Sequence, residues 1–532
     1  MAKNTSPASA NDAKKSNRLA ILLAMAMFVL VVDTSIMNVS ISAIVEDLDA
    51  TVSDVQGAIA LEALVSAAFI LIGSKIGDLY GRKRAYILGL LGYAIGATTM
   101  TLTQSLLPVI IFWAIIGGLG ASLLLPAMQS LIHGNFEGAA QKRVYGLVGA
   151  ATGIAAAIGP LLGGFITTYL SWRVGFLLEV VIIVIVLANI KLVKDVPYTG
   201  PREIDLVGAL LSIVGMGGIV LSILVWQEGG EYVGILLVVG VIAMLLFARW
   251  LVSRKKQGKP SLLDPNLFIS KYFRLGISSQ MLQNITLGGM MIALPIYFQM
   301  VFEYTAMQTG LALAPFSLSI FFISLLAGRR AGKRRQSTII RAGFGILLLG
   351  LIILIPLIPR ADSGWIFAIP LVIVGSGLGL LVSQLNNYTL SPIDEEHVSE
   401  AAGVNSAAGS FGLSFGLAFA GAMMLATLSV AFMNMALSST VLAPEQQEQV
   451  AVALEEDAQI MSDTQLEAQL AGQPEEVQAE IIRINTDARY IALQVALMVP
   501  LIAGLLGFLN SFRMVKLPDP EPSGAAEGML LG

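Results

Sequence analysis

Three acidic side chains fall inside apolar runs long enough to cross a lipid bilayer: Asp33, Glu62 and Glu179. A carboxylate at the centre of a membrane-spanning helix costs roughly 2.5–3.5 kcal/mol on insertion scales, so such residues mark ion or proton pathways unless they reach the headgroups. Buried without a cation, a carboxyl group favours its proton-bound form. The chemistry on offer is therefore reversible binding of a proton or cation. At about 1.5 Å of rise per residue, Asp33 lies roughly 16–18 Å below the outer end of its run, and Glu62 and Glu179 roughly 8–9 Å below theirs. Snorkelling towards the headgroups is the competing reading for the two glutamates; Asp33 is deeper. Uncharged polar side chains form a second set. Gln280, Gln283 and Asn284 share one helical face, and Gln384, Asn387 and Tyr388 share another. With Asn38, they either line a water-filled substrate cavity or join helices, a contact worth about 0.6 kcal/mol on average. Other chemistry is thinly supplied. The chain has no cysteine, which removes thiolate catalysis and Cys-based metal sites, and its two histidines, His133 and His397, lie outside the apolar runs. No phosphate-binding loop or nucleophile triad is present, so no cofactor, metal or nucleic-acid partner is expected.

The elements that must position these residues are membrane helices. Of the 532 residues, 56% are hydrophobic and 13% charged, far from a soluble domain. Apolar stretches able to cross roughly 30 Å of hydrocarbon fall at 19–45, 56–76, 85–103, 107–129, 144–169, 174–193, 204–225, 232–252, 273–299, 307–327, 337–359, 365–388, 403–433 and 489–512. That predicts fourteen spans in an all-α polytopic membrane protein. With the N-terminus inside, all but four of the 32 Lys and Arg, namely Arg173, Arg360, Arg483 and Arg489, fall on cytoplasmic loops and tails. Both tails, 1–18 and 513–532, are then cytoplasmic. Residues 443–488 hold eleven acidic side chains and one arginine, with helix starts at Pro444, Ser462 and Pro474, which predicts an acidic helical hairpin outside the membrane over 434–488. Its acidity either docks an extracytoplasmic partner or is a solvated face.

Between the second and third runs stands Gly77-Asp78-Leu79-Tyr80-Gly81-Arg82-Lys83-Arg84, a charged turn in which an aspartate at a helix end can pair with an arginine just past a turn glycine. Asp78, Gly81 and Arg82 fall on the defining positions of the signature loop of the major facilitator superfamily, which this octet resembles. Ser74 and Leu79 depart from it, standing where the family usually has a glycine and a basic residue. Leu30-Val31-Val32-Asp33-Thr34-Ser35-Ile36-Met37-Asn38-Val39 is similar to the first-span motif of the fourteen-helix drug:proton antiporters in that superfamily. Gly153, Gly159, Pro160, Gly163 and Gly164 in span 5 resemble its antiporter motif, although small residues also serve plain helix packing. In span 4 the arginine and glutamine usual in relatives are replaced by Ala114 and Gly117.

The resemblance implies two six-helix bundles, 19–193 and 273–512, with an inserted helix pair at 204–252. The turn Gly328-Arg329-Arg330-Ala331-Gly332-Lys333-Arg334-Arg335 looks like a degenerate copy of the octet, as expected of repeated halves. It further implies proton-coupled export of amphipathic, cationic small molecules by alternating access in a bacterial inner membrane. Asp33 is then the first coupling residue, and Glu62 and Glu179 are auxiliaries that rest on physics alone. Without an ATP site the work comes from the proton gradient, about 2.3 kcal/mol per charge for each 100 mV. Alternatives are export of a lipid or endogenous metabolite, or a non-transporting scaffold or sensor. A membrane enzyme lacks catalytic companions for these carboxylates. Substrate, protons and membrane lipids are the expected partners.

Overall fold

A computed structural model describes residues 10–136, 138–195, 205–227, 230–329, 334–393, 398–457 and 463–518. Helices dominate, and the described residues contain no strand. The first, α1 (Ala10–Val39), stops at Ser40, and a short α2 (Ile41–Leu48) follows, closed by Asp49 in the left-handed region. The span expected over 19–45 is therefore broken at Ser40. In α3 (Val52–Tyr80) the start is fixed by a reciprocal cap: Asp54 N–H donates to Thr51 Oγ1 at 3.1 Å and Thr51 N–H donates to Asp54 Oδ2 at 2.8 Å. This cap places the helix start four residues ahead of the expected 56. A single residue, Gly81 at φ +102°, joins α3 to α4 (Arg82–Leu102). Only glycine takes that conformation without strain.

One turn, α5 (Leu106–Pro108), leads into a π-helical stretch, Val109–Gly117, which continues as α6 (Gly118–Asn135). Then come α7 (Gly138–Tyr169), α8 (Trp172–Ala188), the inserted pair α9 (Leu206–Gln227) and α10 (Val233–Lys256), and the second-half helices α11 (Lys271–Met300), α12 (Ala306–Arg329), α13 (Gln336–Leu357), α14 (Ala368–Leu390) and α15 (Val398–Leu437). The chain finishes with α16 (Pro444–Asp457), α17 (Asp463–Leu470), α18 (Glu475–Ala496) and α19 (Met498–Lys516).

Thirteen helical spans among the described residues are long and apolar enough to cross a membrane, α18 and α19 forming one between them. The expected sixth span, 174–193, is realised as the 17-residue α8 with a short 3-10 turn after it. At 1.5 Å per residue α8 is about 26 Å long, just under the hydrocarbon thickness. The expected fourteen thus stands at thirteen spans and one shorter helix. The expected last span, 489–512, begins within α18 and is interrupted at Leu497, three residues before Pro500, which has no N–H to give.

Helix α1 packs on α7 and α8, and α4 packs on α6 and α8. In the second half α11 lies against α15 and α19, and α14 against α12 and α13. Two seams join the halves, α3 with α15 and α7 with α12, and α9 lies against both α3 and α15. Four described hydrogen bonds between the halves lie in the part of the molecule remote from Gly81. Ser42 Oγ donates to Gln299 Oε1 at 2.5 Å, Gln299 Nε2 to the Val39 carbonyl at 2.8 Å, Met307 N–H to Thr168 Oγ1 at 2.9 Å, and Ser414 Oγ to the Ala60 carbonyl at 2.7 Å. Here α7 and α12 meet backbone to backbone: a Cβ on Gly310 would overlap the Pro160 carbonyl, and one on Gly164 would overlap that of Ala306.

Gly310→Val should therefore force this far end open while leaving helix content intact. The cysteine-free chain gives a clean readout: a Thr168→Cys/Met307→Cys pair should crosslink readily in the parent and several-fold less in the valine variant.

Candidate functional site

The site grows from Asp33, which α1 carries about two turns before its end and which is 1% exposed. A buried carboxylate needs hydrogen-bond donors. Two come from neighbouring helices: Tyr93 of α4 donates its hydroxyl to Oδ2 in a short bond, and the Trp113 indole N–H is shared between Oδ1 and Oδ2 at 3.3 Å each. Trp113 sits in the middle of the π-helical Val109–Gly117, whose wider turn resets the direction of the side chains that follow. Its neighbour Ala114 is fully buried. The donor that meets Asp33 from this segment is thus a neutral aromatic one.

Glu62 from α3 and Glu179 from α8 complete the cluster. The charge of Asp33 reaches both of them, and α8 packs on α1 and α4 beside it. Glu62 is half-buried and, with α3 starting at Val52, lies about 15 Å below the helix start at 1.5 Å per residue. It is deeper than the sequence suggested. Glu179 is 1% exposed, and neither of its side-chain oxygens has a hydrogen-bond partner. This burial places Glu179 inside the bundle instead of at the headgroups. None of the described ion pairs involves these three carboxylates, and no group of three or more His, Asp or Glu among the described residues is arranged to hold a metal.

The second polar set sits in the other half. Gln283, Gln384, Asn387 and Tyr388 are buried, while Gln280 and Asn284 are half-buried and face Gly409 of α15. Gln283 Oε1 and Asn387 Nδ2 have no partner, whereas Asn387 Oδ1 accepts from Ser391 at 2.8 Å. Asn38 spends its amide N–H on the Thr34 carbonyl of its own helix at 2.7 Å.

The small residues of α7 serve two neighbours. Gly159 and Gly163 abut Ser35 and Ile36 of α1, while Gly153 abuts Phe321 and Gly164 abuts Ala306 and Met307 of α12. At the octet, Lys83 N–H donates to Asp195 Oδ1 at 3.1 Å and Lys83 Nζ to the Val193 carbonyl at 2.7 Å. Asp195, just past α8, therefore grips this turn from within the first half. The side chains of Asp78, His133 and His397, and residues 330–333 of the second basic turn, lie outside the described residues.

Sequence reasoning passed over Tyr93, Trp113 and Asp195. The available signal for the first two was an aromatic with a polar tip inside an apolar run, which needs a partner when buried. Nothing local marks Asp195.

Residues 23–417 match the Major Facilitator Superfamily. The chain belongs to that superfamily. Among its relatives are a probable actinorhodin transporter of Streptomyces coelicolor, 23% identical over 74% of this chain and 70% of the relative, and the multidrug resistance protein Stp of Mycobacterium tuberculosis, 27% identical over 76% and 75%. A puromycin resistance protein of Streptomyces alboniger is 29% identical over 73% and 78%. The fold is similar to a bacterial homolog of the human lysosomal transporter Spinster, with TM-score 0.60 and 11% identity over 94% of this chain and 98% of that one. It is also similar to a peptide transporter, with TM-score 0.58 and 14% identity over 94% and 96%.

Two measurements follow from the site of this superfamily member. Removing the grip of Asp195 with Asp195→Ala should lower thermal stability by about 1–3 kcal/mol, with the loss confined to the octet end in hydrogen exchange. Glu179→Met replaces an unsatisfied buried group by an apolar one of similar length, so it should leave stability unchanged or raise it by about 1–2 kcal/mol. A thermal melt in detergent that drops by that amount would show that Glu179 has a stabilising partner.

Proposed function

We propose that this multi-pass membrane protein exports amphipathic, cationic small molecules in exchange for protons across a bacterial inner membrane, with both tails in the cytoplasm and α16–α18 on the outer side. The observation that carries the reading is the meeting of Asp33, Glu62 and Glu179 inside the first half with no cation among the described ion pairs. Such a cluster can hold either a proton or a positively charged ligand, and the two compete because each offsets the negative charge of the same group of carboxyls. The relatives, a multidrug resistance protein, a puromycin resistance protein and a probable actinorhodin transporter, support a drug-like substrate.

The transport cycle follows from the seams. In this reading the described bonds of Ser42, Gln299 and Thr168 hold the outer end shut, and the carboxylates exchange with the octet side, the cytoplasm. Closing the octet end and releasing the Gln299 and Thr168 contacts exposes the carboxylates to the other side. There a proton replaces the substrate and the cycle reverses. The energy comes from the proton gradient, and no cofactor takes part. Lipids border the outward faces of the helices throughout.

Asp33→Asn removes the titratable group while nearly preserving shape. In proteoliposomes with an imposed proton gradient, ethidium transport by this variant should fall to the level of protein-free liposomes, with folding intact by size-exclusion chromatography. Parent-level transport by Asp33→Asn would remove Asp33 from the coupling path, and absence of proton-linked transport by the parent across a panel of cations would overturn the function itself.

A further inference from the structure

Asp33 and Glu179 lie in one cluster with opposite surroundings. Asp33 accepts hydrogen bonds from Tyr93 and Trp113, neutral donors held by α4 and by the π-helical Val109–Gly117. Glu179 is just as deeply buried, yet neither oxygen has a partner. An ionised carboxylate demands donors, and leaving it bare in a dry site costs far more than leaving a neutral carboxyl bare. The ionisable groups reaching this level are Asp33 from α1, Glu62 from α3, Tyr93 from α4 and Glu179 itself. Helix α7, packed on both α1 and α8, has none between Tyr145 and Tyr169. No basic residue enters from α6 before His133 at its end.

We propose that the exchangeable proton of this carrier is held by Glu179, and that Tyr93 and Trp113 are positioning residues that keep Asp33 as the carboxylate. The proposal rests on the proton-exchange reading above and refines it. When a cationic ligand arrives beside Asp33, the O–H bond of the Glu179 carboxyl breaks and the proton leaves to water on the open side. The new carboxylate is balanced by the positive charge of the ligand. On the opposite side a proton from water re-forms that O–H bond and the cation departs, so one positive charge enters for each one that leaves. It is the π-helical Val109–Gly117 that brings the Trp113 indole to Asp33.

Infrared difference spectroscopy of the purified parent and variants at neutral pH reads protonated carboxyl groups directly, without substrate or a gradient. The carbonyl band of a protonated carboxyl should be present in the parent, lost in Glu179→Gln, and retained in Asp33→Asn and in Glu62→Gln. Tyr93→Phe and Trp113→Phe, which remove the donors and leave an aromatic ring at each position, should each gain a second such band, and Asp33→Asn in either background should abolish it. Loss of the parental band in Asp33→Asn or Glu62→Gln, with Glu179→Gln unchanged, would overturn the assignment. Unaltered spectra for both Tyr93→Phe and Trp113→Phe would overturn the positioning role. Failure of proton-linked ethidium transport by the parent would sink the exchange reading while leaving the infrared assignment of Glu179 standing, so the two failures are distinguishable.

Discussion

A carboxylate inside an apolar bundle must be answered by hydrogen-bond donors, and around Asp33 that demand organises the first half. The answer comes from two helices that are not its sequence neighbours, α4 with Tyr93 and the stretch before α6 with Trp113. Meeting the demand requires α4 to lie against the π-helical segment, which it does along much of its length. The irregular backbone is itself a cost: i to i+5 bonding is rare and persists where the surroundings require it. Using neutral donors keeps the site free of a fixed positive charge. A permanent arginine would compete with any cationic ligand for the same oxygens, and an indole does not.

The small residues answer a different constraint. Two halves that must separate and rejoin cannot be held by interdigitated large side chains, because each separation would then break a close-packed core. At the far end α7 and α12 meet through Gly164 and Gly310, and a few hydrogen bonds from Ser42, Gln299 and Thr168 add direction. Such contacts are individually modest, on the order of 1 kcal/mol net each, which suits an interface that has to break. The octet turn, by contrast, is tied within its own half by Asp195.

Much of this was legible in the sequence, for identifiable reasons. Apolar length reports on the membrane, so the spans from α3 to α15 emerge within a few residues of their ends. The three carboxylates stand out because almost nothing else within the spans is ionisable. The illegible parts are those decided by packing. The break at Ser40 falls in a run that stays apolar across it, so hydropathy cannot see it. Helix α8 is shorter than its apolar stretch, since the backbone tightens into a 3-10 turn past Asn189. The π-helical segment has no compositional mark, and without it Trp113 reads as an ordinary apolar residue. Depth was misjudged for Glu62 because the cap at Thr51 starts α3 one turn early. The roles of Asp195 and Glu179 depend on what surrounds them in space, and no spacing along the chain encodes that.

The inserted pair adds no side chain to the carboxylate cluster, but its placement alters the mechanics of the molecule. Helix α9 touches α3 of one half and α15 of the other, with Trp226 against Phe419 at a ring separation of 6.4 Å. It lies like a strip of tape along one seam, while the α7 and α12 seam meets the bilayer without such a cover. Any rocking of the halves must therefore drag α9 against at least one of its two supports, and the drag falls on one flank only. The two flanks of the molecule are therefore mechanically unequal, the seam that α9 spans being braced and the other resting on its own two helices.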